Sequence, residues 1–380
     1  MGKKKKKNNK NYRIGDIFST ILMFAFGAMA GVVSVENISG EDSVLGVFIL
    51  LFIFIMAFTV QIILHEAGHL VGGMLSGYDF VSFRVGSLTL VKEDGKFAIK
   101  KFNIKGTGGQ CLMMPKEEDY EKCHYILYNL GGVLMNFLVV VICFLIYLKF
   151  DKNKYINEAL IAMMASGLVI VINNAIPMKI SGIVNDGYNT MSIIKNKLNK
   201  YGLYIQLKVN GLNSRGIRIK DMPLNWFEID SSSDFSNPLI TGIKCIEANY
   251  YHDNLEFDKA KLCYEFLLSD DINICKLYEN EIKCELIFYE IVGKRDENKI
   301  NELYTKQLKT YVKASKCQIN KLRLMYAYAL IIEKDKKKVK KILDKIEVVK
   351  KKYPNKGELE SELEIIEYVK NNFDSSNIMI

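Results

Sequence analysis

Two histidines one helical turn apart, with a glutamate beside the first, stand near the end of a long apolar run. They are His65, Glu66 and His69, in the HEAGH of the stretch Val44–Leu75. On a helix, residues four apart project from one face, so His65 and His69 suit two ligands of a single Zn²⁺ ion. Glu66, next to the first ligand, is placed to take a proton from a water at the metal. The surrounding segment has the length and apolarity of a transmembrane helix, where ionisable side chains are costly and mark function. A helical histidine pair satisfied by neighbouring polar groups is the plainer alternative. A catalytic zinc needs a third protein ligand, so the reading turns on finding one.

The 380 residues are enough for two units, and their composition divides accordingly. Every long apolar run lies before about residue 195, and the chain from about 200 onward is rich in Lys, Glu, Asn and Tyr. The net charge of +9 is spread over tails, loops and helices, with no nucleic-acid motif to accompany it. Positively charged cytoplasmic segments of a membrane protein account for it, and nucleic acid is excluded as a partner. The eight cysteines contain no C-x-x-C pair and read as reduced, buried small hydrophobes. Five of them fall in the polar half, which favours a cytosolic setting for that half.

The apolar runs predict an α-helical polytopic membrane protein with spans at about 14–33, 44–75, 125–148 and 158–178. The first run follows a tail with seven basic residues and reads as an uncleaved anchor with its N-terminus inside; Ala28-Met29-Ala30 resembles a cleavage site, the rival reading. The loop 34–43 carries acidic but no basic residues and belongs outside, so the second run brings His65 and His69 toward the cytoplasmic face. Residues 78–115 predict a small membrane-associated β-hairpin with a turn at Glu93-Asp94-Gly95, followed by the glycine-rich Gly106–Pro115. The third and fourth runs go out and back, and a fifth span after Gly187 is left open. The N-terminus and the polar half are then both cytoplasmic. Spans, hairpin and connecting loops make up a membrane domain of residues 1–195.

Past the fourth run stands NNAIPMKISGIVNDGYNT, in which Asp186 is a carboxylate on the same expected membrane face as His69. Two histidines and one carboxylate, with a fourth position open, form the ligand set of a catalytic zinc. At this point the chain resembles the site-2 protease family of intramembrane zinc metalloproteases. The resemblance covers about residues 44–195 and rests on HEAGH, on Asn174 and Pro177 ahead of Asp186-Gly187, and on Gly132 and Asn136 of the intervening segment. Val133 stands where the family usually has proline, and the spacing from Pro177 to Asp186 is longer than in many members. The resemblance implies Zn²⁺ on His65, His69 and Asp186, with Glu66 as the catalytic base. It implies substrate-positioning roles for Asn136 and for Gly108 and Gly109, the last two as part of a β element that pairs with an unwound substrate strand.

Residues 200–380 predict an all-α cytoplasmic domain. Asn237–Asp270 reads as two helices meeting near Asp253-Asn254, with Ala248, Tyr251, Ala260 and Tyr264 spaced as in a tetratricopeptide repeat, and Lys321–Pro354 is similar. A generic helical bundle is the alternative, and either form offers a surface for a protein partner. His124 and His252 lie outside any metal spacing and read as structural. The expectation is therefore a multi-pass zinc metalloendopeptidase of a bacterial cell membrane, acting on membrane-anchored proteins or peptides within the bilayer. A non-proteolytic accessory subunit of a peptide-export or maturation complex is the alternative, against which the intact Glu66 argues. A histidine-box di-iron oxygenase is excluded because four histidines are too few for two irons.

Overall fold

The computed structural model describes residues 14–28, 31–32, 43–93, 95–102, 108–149, 153–180 and 183–373. It divides into two compact units, Met1–Val85 with Gly108–Lys197, and Gly86–Thr107 with Leu198–Ile380.

In the first unit, helix α1 (Ile14–Ala28) precedes the 33-residue α2 (Ser43–Leu75). Helix α2 is an unbroken run of apolar residues without Pro, and at about 1.5 Å per residue it is about 50 Å long, ample for a hydrocarbon core of about 30 Å. It stops at Gly77, whose φ of +78° only glycine adopts without strain and whose N–H bonds back to the Met74 carbonyl. Helices α3 (Tyr125–Lys149) and α4 (Lys154–Ala175) pack against α2. Among the described residues these three are long and apolar enough to cross a membrane. Their outward faces are strongly apolar: Phe48, Leu51, Phe52 and Ile55 of α2, Phe137 and Leu145 of α3 are all exposed. So continuous an apolar surface is unfavourable in water and is matched by lipid.

The expected first span of 14–33 has a described helix only over Ile14–Ala28; residues 29, 30 and 33 lie outside the described residues. The fourth expected span, 158–178, shifts toward its N-terminus. Asn153 caps α4 by accepting from the Ile156 N–H, and the helix ends at Ala175, just ahead of Pro177. Among the described residues no helix long and apolar enough to cross a membrane follows Gly187: α5 (Asp186–Lys195) has ten residues, and α6 (Lys197–Ser214) is not among the candidate spans.

Close approach of α2 and α3 depends on facing glycines. A Cβ on Gly68 would collide with the Gly131 carbonyl, and one on Gly131 with the Gly68 carbonyl, so the backbones are in direct contact at the level of the histidines.

The expected single hairpin is two antiparallel pairs. Strand β1 (Tyr78–Val85) pairs with β4 (Gly109–Pro115), from Tyr78 opposite Pro115 to Val85 opposite Gly109, with an irregularity between Phe80 and Ser82. Strand β2 (Leu88–Glu93) pairs with β3 (Lys96–Lys101) around the expected turn, where Gly95 has a φ of +81°. The glycine-rich segment thus ends as a strand. A further two-residue pair, β5 (Lys179–Ile180) and β6 (Ile183–Val184), lies between α4 and α5.

The second unit is helical apart from β2 and β3. It comprises α6, then α7 (Pro238–Asp253), α8 (Phe257–Leu267), α9 (Lys276–Val292), α10 (Glu297–Leu303), α11 (Lys306–Ala314), α12 (Ile319–Ala327), α13 (Lys336–Lys350) and α14 (Lys356–Phe373). Helices α7 and α8 meet across the expected turn, where Leu255 adopts φ +60°. The second expected pair is interrupted, since α12 passes into a π-helical turn at Tyr328–Ile332 before α13. Fully buried Ile243, Ala248, Leu267, Ile282, Phe288, Leu322 and Ile365 line the interior. Arg323 is also fully buried, its guanidinium over the Phe288 ring and bonded to both Glu285 and Glu362 at 2.5 Å. Charges removed from water to this extent persist only with such partners.

Candidate active site

Helical geometry puts His65 and His69 on one face of α2, and both rings are buried, 8 % exposed, against α3. Each ring is fixed through Nδ1. His65 Nδ1 is 2.7 Å from Asn136 Oδ1, and His69 Nδ1 is 2.8 Å from the Tyr128 carbonyl oxygen. Both partners are acceptors, so each Nδ1 carries the proton and each Nε2 presents a lone pair. The two Nε2 atoms lie 3.2 Å apart. Without a proton or a cation between them, that arrangement is repulsive.

The third group comes from α5. Asp186 Oδ2 lies 3.1 Å from His65 Nε2 and 3.4 Å from His69 Nε2, and it receives no hydrogen bond from any donor. Three acceptor atoms therefore face one point. Tetrahedral zinc with bonds of about 2.0–2.1 Å separates its ligand atoms by about 3.3 Å, close to the three distances here. Among the described residues this is the one group of three His, Cys, Asp or Glu side chains that converges in this way. The residues present fit the ion.

Asp186 is carried there by a clamp that sequence reading missed. Asn185 caps α5 by accepting from the Tyr188 N–H, accepts from the Met178 N–H, and donates to the carbonyls of Asn173 and Ile176. One side chain thus ties the end of α4 to the start of α5. The available signal was an Asn directly ahead of a helix start, which marks an N-cap.

Glu66 is buried, 7 % exposed, and accepts from the Cys111 backbone N–H of β4. A Cβ on Gly109 would stand 2.5 Å from Glu66 Oε1, so glycine lets the strand backbone run against the carboxylate. Gly108 does not share this contact; its nearest neighbour is the Ile62 side chain. The buried Arg84 of β1 donates to the Gly109 carbonyl at 3.3 Å and is coupled electrostatically to Glu66.

Asn136, expected to touch substrate, is fully buried with both ends of its amide engaged. Its Oδ1 faces His65, and its Nδ2 donates to the Gln61 carbonyl at 2.8 Å and to Gln61 Oε1 at 2.6 Å. Gln61 in turn donates to the Met163 carbonyl of α4. This chain links α4, α2 and α3 behind the first histidine. Gly132 completes the wall: a Cβ there would lie 2.6–2.7 Å from atoms of both imidazoles. His124 and His252 take no part in the convergent group.

Comparison with known proteins places this geometry. The model of Peptidase family M50 matches residues 53–378, which include all of these residues. Searches of the curated proteins and of the solved structures found no match.

Proposed function

The chain belongs to peptidase family M50, the site-2 protease-type metallopeptidases, and on that premise we propose that it is an intramembrane zinc endopeptidase. Its substrate on this reading is a membrane-anchored protein or peptide. The observation that carries it is the convergence of His65, His69 and Asp186, next to Glu66, within a bundle of helices apolar enough to span a bilayer. At about 1.5 Å per residue, His65 lies about 33 Å along α2 from Ser43, near the far face of a hydrocarbon core of about 30 Å. With the acidic loop outside, that face is the cytoplasmic one.

His65, His69 and Asp186 would hold a zinc ion, which would supply Lewis acidity toward a peptide carbonyl and a water. The protein does the rest. Glu66 takes the proton of the attacking water and returns it to the leaving amine. Asn136 and the Tyr128 carbonyl fix both imidazoles in the tautomer that leaves Nε2 free to bind metal. Strand β4 is the edge strand of its sheet, and its Gly109 backbone touches Glu66. A substrate segment unwound from helix and added along that edge would keep its backbone hydrogen bonds while exposing a carbonyl to the base. Residues 198–380 supply none of these groups, and on this reading they form a cytoplasmic unit that selects substrate or partner.

The test is hydrolysis of a detergent-solubilised transmembrane peptide by the purified full chain. Cleavage should cease on treatment with a chelator and return with stoichiometric zinc. Turnover indifferent to chelation would overturn the assignment. A second expectation concerns Asn136. Replacing it with Leu removes the acceptor from His65 Nδ1 and should weaken zinc affinity by about 10–100-fold, as loss of such outer partners does. Asn136→Asp keeps an acceptor and should lose less. Chelator competition measures both, and equal affinity for parent and Asn136→Leu would remove Asn136 from the site.

A further inference from the structure

The second unit carries a partly open cavity of about 310 Å³ that the peptidase chemistry does not use. Helices α6, α7, α9, α12 and α14 contribute to its wall, and the side chains there are unusual for the interior of a helical bundle. Six are amides: Gln206, Asn210, Asn213, Asn249, Asn320 and Asn355. Each offers both a donor and an acceptor, the same pair that a peptide unit presents.

The hydrogen-bond network of this wall is incomplete. The side-chain oxygens of Asn213, Asn320 and Asn355 have no donor, and His252 Nε2 has no hydrogen-bond partner. Asn213 and His252 are each 5 % exposed. Buried polar groups of this kind are normally satisfied, and unsatisfied ones mark a missing partner. The wall packs closely at Gly242, where a Cβ would stand 2.6 Å from the Gln206 amide and 2.9 Å from the Tyr278 hydroxyl.

Charge adds a second, independent indication. Asp253, Glu285, Glu358 and Glu362 line the cavity. Asp253 is paired with Arg218, and Glu285 and Glu362 share the single Arg323. Glu358 accepts from a neutral donor, the Tyr353 hydroxyl, at 2.7 Å. Burial pushes Glu362 up to about 7 despite Arg323, and pushes Glu358 upward as well. The wall is short of positive charge. Among the described residues these carboxylates are not a convergent group of metal ligands.

We propose that this cavity binds a short peptide bearing a lysine or arginine, its cationic group among Glu285, Glu358 and Glu362 and its backbone along the amide side chains. A cavity of this size lies at the lower end of the range that holds small organic ligands, which fits a few residues at most. The amide wall favours a peptide over a simple amine, because the side-chain oxygens of Asn213, Asn320 and Asn355 all lack a donor and a peptide carries several N–H groups.

The experiment uses the full chain in detergent and two pools of tetrapeptides with capped ends. One pool has a fixed lysine or arginine among varied neutral residues, and in the other norleucine takes that place. Equilibrium dialysis with mass spectrometry reads the bound fraction. The basic pool should be retained about tenfold or more over the norleucine pool, as expected for hydrogen-bonded charge recognition. Glu358→Gln and Asn355→Ala, the latter at a half-buried position ahead of α14, should each reduce that ratio by at least about fivefold. Circular dichroism checks that each variant is folded. Equal retention of the two pools, or a ratio unchanged in both variants, would overturn the proposal. Spermidine or free lysine displacing the peptides at equal concentration would show that the site recognises amines and not peptides, and would overturn it too.

Discussion

Glu66→Gln is expected to lower peptide hydrolysis by about 10²–10⁴-fold or more while leaving the metal content of the purified chain unchanged. The geometry separates the two effects. Glu66 is not one of the three converging side chains, so its removal leaves His65, His69 and Asp186 intact. Gln is nearly isosteric and keeps an oxygen to accept from the Cys111 backbone N–H, so β4 should stay in place against α2. What Gln cannot do is take a proton. Elemental analysis and cleavage assays on the same preparation measure both quantities. A variant that keeps the parent's turnover would sink Glu66 as the base. One that loses metal along with activity would mean that Glu66 belongs to the ligand set.

How much of this site was legible in the sequence depends on how far apart its parts lie in the chain. His65, Glu66 and His69 are joined by one helical turn, and covalent spacing alone brings them together. Asp186 is more than one hundred residues away and was reachable only through membrane topology and family resemblance. The structure brings it within 3.1 Å of His65. Gln61 and Asn185 were missed because their partners lie on other elements. An amide inside an apolar run says only that something satisfies it, not that the something is Asn136. The β region shows the same limit. The turn at Gly95 was legible locally, whereas β1 finds its partner in β4, across some two dozen residues of intervening chain whose alternation does not encode that pairing. In the polar half, the meeting of α7 and α8 near Asp253 was legible from helical periodicity, but the π-helical turn at Tyr328–Ile332 was not. Local propensity does not distinguish one hydrogen-bonding offset from the next within an apolar helix.

Asp186→Asn is the variant that most directly tests the metal centre, because it changes a charge and almost no volume. Asp186 contributes the one negative charge among the three converging groups, the two imidazoles being neutral when they bind metal. An amide oxygen in its place is a poorer ligand, and the amide can instead turn its NH₂ toward the two Nε2 atoms. That would satisfy their lone pairs without any ion. Zinc affinity should therefore fall by more than the roughly 10–100-fold expected for loss of an outer partner such as Asn136. Activity should fall with it. His65→Ala and His69→Ala should behave alike, which makes the three variants a set. Asn185→Ala provides the control that a folding defect would not pass. It keeps the carboxylate and removes the clamp onto the Asn173 and Ile176 carbonyls, so its affinity loss should be the smaller of the two. Chelator competition on all four proteins gives the order. Were Asp186→Asn to bind zinc as tightly as the parent, the third ligand would lie elsewhere. Were Asn185→Ala to cost as much as Asp186→Asn, the effect at Asp186 would reflect the position of α5 and not a bond to metal.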